Sequence, residues 1–177
     1  MGELNLLFAG FGGQGVLFCG KVAGYAGLID GKEVSWLPSY GPEMRGGTAN
    51  CSVCISEEPI GSPAVTEPDV LVAMNAPSYD KFIGAVKPGG KVIMDSSLFD
   101  RECTRSDIEV YKIPATKMAS GEGISGPANM ILLGKLLKES EFTSIHTIQE
   151  AMARCVPQGK AHLIEHNMRA IGLGMEL

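Results

Sequence analysis

Positive charge is in deficit: 15 Lys and Arg stand against 20 Asp and Glu, a net charge of −5. A general nucleic-acid binder needs a basic face to neutralise phosphates, so the balance argues against that class. No apolar run approaches the ~20 residues that span a bilayer, which argues against a membrane-spanning helix. The first residues carry no basic start and no signal-like cleavage site, so a cytoplasmic location is expected. The three histidines form no metal-binding motif. The five cysteines (Cys19, Cys51, Cys54, Cys103 and Cys155) are odd in number and scattered, as reduced thiols are. No four of them form the closely spaced run of a ferredoxin-type cluster site. Cys51-Ser52-Val53-Cys54 is formally a C-x-x-C, yet no second pair or histidine follows at zinc spacing. It also lies in a β-patterned run, not at a helix start where a thiolate is stabilised. Buried or half-buried strand cysteines are expected.

What is present suits an ordinary globular chain. Of 177 residues, 45% are apolar and 20% charged, and one domain spanning 1–177 is expected. Such a domain buries roughly 70% of its unfolded surface, enough for a core without metals or disulfides. Leu4–Ala9 is an apolar run ending at glycine and reads as a buried first strand. Gly10-Phe11-Gly12-Gly13-Gln14-Gly15 follows, then a helix from Val16 to Ile29 with apolar or small residues on every face. A strand, a glycine turn and a helix form a Rossmann-like start. The turn matches G-x-G-x-x-G, in which glycine lets backbone approach an anion and the helix start supplies N–H donors. The acid that would hold a ribose at the end of the second strand is out of place, since Asp30 and Glu33 precede or begin that strand. A Walker-like Gly15-x4-Gly20-Lys21 has Val22 where Ser or Thr must bind magnesium, and falls inside the helix. What is left is a structural turn or an anion-binding nest at Gly12, Gly13, Gln14 and Gly15.

Further strands are expected at Val34–Leu37, Thr48–Ser56, Asp69–Met74, Lys91–Asp95 and, at an edge, Ile108–Ile113. A short helix from Tyr79 to Val86, with Ser78 as N-cap, joins two of them in a parallel crossover. Asn75 and Asp95 sit just past strand carboxyl ends, where α/β sheets bind ligands and where capping chemistry also occurs. Residues 114–126 read as a long Gly/Ser/Ala-rich connection. The helix from Asn129 to Lys138 carries too many apolar residues for one surface face, so it is deeply buried or covered by another chain. Two more helices follow, capped first by Thr143 or Ser144, with His146, His162 and His166 on polar faces. The expected fold is a three-layer α/β/α arrangement with a largely parallel or mixed sheet and a helical C-terminal portion.

The stretch from Ser39 to Cys51 is longer than a plain connection of about 4–6 residues. Gly41-Pro42 and Gly46-Gly47 bracket Glu43, Met44 and Arg45. It is either a long surface turn with a local Glu–Arg pair, or a loop presenting Arg45 and the Gly46-Gly47 backbone to an anion or a partner.

The glycine turn, Pro38-Ser39-Tyr40-Gly41-Pro42-Glu43-Met44-Arg45-Gly46-Gly47 and Ile60-Gly61-Ser62-Pro63 together resemble the gamma subunit of 2-oxoacid:ferredoxin oxidoreductases. The same domain occurs fused inside larger chains of pyruvate:ferredoxin oxidoreductase relatives. The similarity covers about the whole chain and is nearest the 2-oxoglutarate or branched-chain type. The resemblance implies a complex that decarboxylates a 2-oxoacid on thiamine diphosphate with magnesium. Electrons pass through iron–sulfur clusters to ferredoxin, and the acyl group passes to coenzyme A. This chain has neither a cluster-binding cysteine run nor a Gly-Asp-Gly thiamine motif, so those groups are expected on alpha, beta and delta subunits. Its own implied part is assembly, and closure of the coenzyme A side through Gly12–Gly15, Arg45, Gly46 and Gly47, with no catalytic residue and no activity alone. When isolated, it is expected to self-associate as a homodimer through surfaces meant for partners. A free-standing nucleotide-binding enzyme and a pure scaffold subunit are the alternatives.

Overall fold

The computed structural model describes residues 2–40, 48–121 and 127–177. Six strands lie in one sheet: β1 (Leu4–Phe11), β2 (Glu33–Tyr40), β3 (Thr48–Ser56), β4 (Val70–Ala73), β5 (Lys91–Asp95) and β6 (Glu109–Ile113), in the order β2-β3-β1-β4-β5-β6. β3 runs antiparallel to both neighbours, while β1, β4, β5 and β6 are mutually parallel, so the sheet is mixed. The central strands are buried on both faces, which explains their unbroken apolar runs. Leu6 and Phe8 of β1 enter one core cluster, and Leu7 and Ala9 enter the other.

Helix α1 (Val16–Ile29) follows β1 on the first face, where Cys19, Val22 and Ala26 pack with Cys51, Val53 and Ile55 of β3. Helix α2 (Ala76–Phe82) follows β4 on the opposite face, where Tyr79 packs with Leu7, Leu71 and Val92. The path leaving β1 leads to β2, and the path leaving β4 leads to β5, on opposite faces of the sheet. The adjoining carboxyl ends of β1 and β4 therefore flank a crevice of the kind that receives ligands in α/β sheets.

The first face is completed by α4 (Ala128–Ser140), α5 (Ile145–Cys155) and α6 (His162–Met175). Helix α4 lies between the sheet and α6, and every residue from Asn129 to Leu137 is buried. Its all-round apolar character is thus satisfied within this chain. At the crossing of α4 with α6, a Cβ on Gly134 would overlap the backbone carbonyl of Ile171. No described helix is long and apolar enough to cross a membrane.

Lys135 is the charged exception within that buried run of α4, only 4% exposed. Its Nζ donates to the Leu177 carbonyl at 2.9 Å, pairs with Glu139 at 2.7 Å and lies 4.6 Å from the centre of the Tyr111 ring. Glu139 also accepts from the Tyr111 hydroxyl at 2.8 Å. The Lys135 bond is the main cause holding the Glu139 carboxyl below the usual range, with Tyr111 and Lys91 assisting against burial. A carboxyl depressed on folding stabilises the chain above its unfolded pKa and loses that contribution as pH falls through its folded value. Lys135→Met is therefore expected to lower the melting temperature at pH 7 and to flatten the loss of stability below the ordinary glutamate range. Thermal melts between pH 7 and pH 3 check both effects, and an unchanged acid limb would count against this assignment.

Several sequence expectations are corrected. The cap of α2 is Asn75, whose Oδ1 accepts from the Ser78 N–H at 2.8 Å, so the helix starts earlier than Tyr79. Ser78 is itself buried inside the first turn and its hydroxyl has no hydrogen-bond partner. The 114–126 connection contains a helix, α3 (Ala115–Gly121), whose start is held by Asp95. Cys51 and Cys54 are both buried but lie on opposite faces of β3: Cys51 joins the first core cluster, and Cys54 Sγ donates to the Ser62 carbonyl on the other side at 3.7 Å. Strand alternation thus separates the two thiols of the C-x-x-C.

Candidate functional site

The glycine turn sits at the carboxyl end of β1. Gly13 and Gly15 take φ values of 91° and 76°, which side chains disfavour. Gly15 is the N-cap residue of α1, and no side chain caps the helix. Its first N–H groups therefore gain no side-chain acceptor of the usual Ser, Thr or Asp kind.

Two amide side chains fix the turn from either side. Gln14 Oε1 accepts from the Phe11 N–H at 2.7 Å, and its Nε2 donates to the Met74 carbonyl at 2.9 Å, tying β1 to the end of β4. Asn129 Nδ2, at the head of α4, donates to the Gly15 carbonyl at 3.3 Å. In return, Cys19 Sγ donates to the Asn129 carbonyl at 3.2 Å.

Beside the turn opens a cleft of about 290 Å³ bounded by Gln14, Met74, Asp95, Thr116, Ser120 and Asn129. Asp95, 2% exposed, accepts from Thr116 Oγ1 at 2.6 Å, Thr116 N–H at 3.2 Å and Ser97 N–H at 3.0 Å. Its carboxylate is occupied in holding α3, so capping chemistry is its observed role. Among the described residues, no lysine or arginine lines this cleft. A second, more apolar hollow of about 360 Å³ lies against the turn, along Phe11, Gly12, Val16, Leu17, Phe18 and Ala49.

The structure places Gly12, Gly13, Gln14 and Gly15 in the turn at the carboxyl end of β1. Gln14 spends both ends of its amide on the framework. Arg45, Gly46 and Gly47 lie outside the described residues. The described residues flanking them are placed: Tyr40 pairs with Ala49, and Thr48 pairs with Phe11 at the end of β1. Both ends of that segment therefore start from the sheet edge that carries the glycine turn. Asn129 and Thr116 are site residues that the sequence did not single out. The available signal was a polar side chain at the head of an otherwise apolar helix.

Among the described residues of the cleft, the one hydroxyl set against a carboxylate is Thr116 on Asp95, and that pair is spent on holding the start of α3. Burial pushes the Cys51 thiol up to about 12 against a lowering bond from Trp36, and the Cys155 thiol up to about 11. Both stay protonated at neutral pH. Among the described residues, no three His, Cys, Asp or Glu gather to hold a metal. The residues present do not fit an iron–sulfur cluster or a magnesium–thiamine site.

Comparison with known proteins follows the same outline. Residues 5–177 match the family model described as pyruvate ferredoxin/flavodoxin oxidoreductase. The 2-oxoglutarate synthase subunit KorC of Methanocaldococcus jannaschii is 39% identical over 177 residues, covering 98% of this chain and 92% of the relative. The ketoisovalerate oxidoreductase subunit VorA of Methanothermobacter marburgensis is 39% identical over 176 residues. There the match takes in 98% of this chain but only 36% of the relative, so the chain spans about a third of that longer protein. The keto/oxoacid ferredoxin oxidoreductase gamma subunit of Geobacter sulfurreducens PCA has the same fold, with a TM-score of 0.86, 28% identity, and 99% and 96% of the two chains covered. A 2-oxoglutarate:ferredoxin oxidoreductase of Magnetococcus marinus, solved with 2-oxoglutarate, coenzyme A and succinyl-CoA bound, aligns with a TM-score of 0.89 and 25% identity, covering 99% of this chain and 31% of that one.

Proposed function

The chain belongs to the pyruvate ferredoxin/flavodoxin oxidoreductase family, and from that premise we propose that it serves as the gamma subunit of a 2-oxoacid:ferredoxin oxidoreductase complex. The observation that carries this proposal is the end-to-end match to a subunit of the same size, 98% of this chain against 92% of KorC. The complex converts a 2-oxoacid and coenzyme A into an acyl-CoA and carbon dioxide, and the two electrons released reduce ferredoxin. 2-Oxoglutarate is the favoured substrate, because the more similar relatives of matching length, 32% to 39% identical, are 2-oxoglutarate synthase subunits, whereas the pyruvate/ketoisovalerate gamma subunits of similar length are 27% identical. Ketoisovalerate is the second reading, supported by the equal identity to the longer VorA chains.

Thiamine diphosphate, magnesium and the iron–sulfur clusters belong to the alpha, beta and delta partners in this account, since no residues here fit them. The part assigned to this chain is assembly and the reception of coenzyme A. The glycine turn, Gly12 to Gly15, offers N–H donors at the head of α1, suited to a phosphate. The described residues lining the cleft beside it include no cation, and the positive and donor groups are assigned in this proposal to Arg45 and the Gly46-Gly47 backbone, which lie outside the described residues. Coenzyme A provides the thiol that takes the acyl group; the role of this chain is to hold the carrier.

The test is co-expression of the tagged chain with the larger chains encoded beside it. The account expects co-purification of a complex that reduces ferredoxin faster with 2-oxoglutarate than with ketoisovalerate. A tagged chain that is recovered alone would overturn the subunit assignment, and a reversed preference would overturn the substrate.

A further inference from the structure

We propose that Asn129 is a positioning residue for the coenzyme-facing turn, aiming the first N–H of α1 without touching the ligand's phosphate. This rests on the reading of that turn as coenzyme-facing. The Gly15 carbonyl accepts two bonds, from the Cys19 N–H at 3.0 Å and from Asn129 Nδ2 at 3.3 Å. The peptide joining Gly15 to Val16 is planar and trans, so its N–H points opposite to its carbonyl. Fixing the Gly15 oxygen toward α4 therefore fixes the direction of the Val16 N–H at the head of α1, where Val16 borders the apolar hollow against the turn.

The surrounding residues are built around this contact. A Cβ on residue 15 would overlap the Asn129 amide nitrogen and lie 2.9 Å from its Cγ, so only glycine lets the amide approach. Asn129 is 9% exposed, in a helix otherwise filled with Met130, Ile131, Leu132 and Leu133. A buried amide there costs stability unless it is bonded, and an aliphatic residue would suit the helix better on packing grounds alone. Its backbone is anchored to the same turn of α1 by the Cys19 thiol. Asn129 thus holds the first turn of α1 at two points, its amide on the Gly15 carbonyl and its own carbonyl on the Cys19 thiol, while Gln14 ties the turn to Phe11 and Met74. The position of α4 is transmitted to the orientation of an N–H donor on α1.

Asn129→Asp separates the donor from the packing. It keeps shape and volume but presents oxygen where Nδ2 donated. In the assembled complex, the expected result is a rise of about tenfold in KM for coenzyme A, with KM for the 2-oxoacid unchanged. Arg45→Ala is measured alongside. If Arg45→Ala raises KM for coenzyme A and Asn129→Asp does not, the positioning role is wrong and the coenzyme-facing reading stands. If neither variant raises it, both fall together. If Asn129→Asp raises both Michaelis constants in parallel, the residue is structural only and the proposal is overturned. Should the variant complex fail to assemble, amide NMR of the full chain decides. The account expects the Val16 amide resonance to move, and an unmoved Val16 would overturn it.

Discussion

Replacing Gly174 by alanine is expected to cost this chain at least about 3 kcal/mol, in the upper range for overpacking substitutions. Gly174 sits on α6 where that helix crosses α4. An added Cβ would overlap the Ile131 carbonyl oxygen and lie 2.9 Å from both the Ile131 carbonyl carbon and the Lys135 nitrogen. These are backbone atoms of a buried helix, so no side-chain rotation relieves the clash. Relief requires α6 to lift from α4, which opens the first core cluster around Ile131 and Ile171. A domain of this size loses roughly 2–4 °C of melting temperature per kcal/mol, so a fall of about 6–12 °C is expected. Gly172, where an added Cβ would meet nothing within 4 Å, is the control. Gly172→Ala removes the same backbone freedom without the overlap and is expected to melt at or above the parent temperature. Equal losses for the two variants would show that helix crossing is not the cause.

Arg45→Ala is the second large effect, and it acts on function. An arginine that pairs with a coenzyme phosphate makes charge-assisted bonds worth about 1.5–3 kcal/mol. At 1.4 kcal/mol per factor of ten, their loss raises KM for coenzyme A by about 10- to 100-fold in an assembled complex. The constant for the 2-oxoacid is expected to stay within twofold, because that substrate is bound on the partner subunits in this account. Raised salt is expected to shrink the difference between parent and variant, as it does for ion pairs open to solvent. A complex that fails to assemble, or one with both constants unchanged, would make the Arg45 segment an interface or a spacer and remove it from the coenzyme.

The sequence revealed most where one local pattern decides the structure. Leu4–Ala9 and Asp69–Met74 read as buried strands because both faces are covered, and α1 reads as a buried helix from its small and apolar residues. It revealed least where a distant residue decides. The apolar stripe of residues 115–121 is only Ala115, Met118 and Ala119, too short and small to announce a helix, and α3 forms with Asp95 of β5 bonding Thr116 in its first turn from 21 residues away. Asn75 and Ser78 are both good caps by type. The choice falls to Asn75 because Ser78 is drawn inside the helix. The direction of β3 is not decided by its composition and is settled by pairing with β1 and β2. Of the site, the glycine turn was legible because its motif is contiguous. Asn129 was not, because its partner Gly15 is 114 residues earlier. The role of Gln14 likewise depended on Met74, sixty residues later, which no local spacing reveals.

The central claim is that this chain is an indispensable, non-redox part of a 2-oxoacid:ferredoxin oxidoreductase. It is tested most directly by measuring 2-oxoglutarate-dependent ferredoxin reduction, with coenzyme A present, in partner subunits purified without the chain and then titrated with it. The account predicts little turnover without it and a rise that saturates at a fixed ratio of this chain to its partners. Full coenzyme A-dependent turnover before any of the chain is added would contradict it.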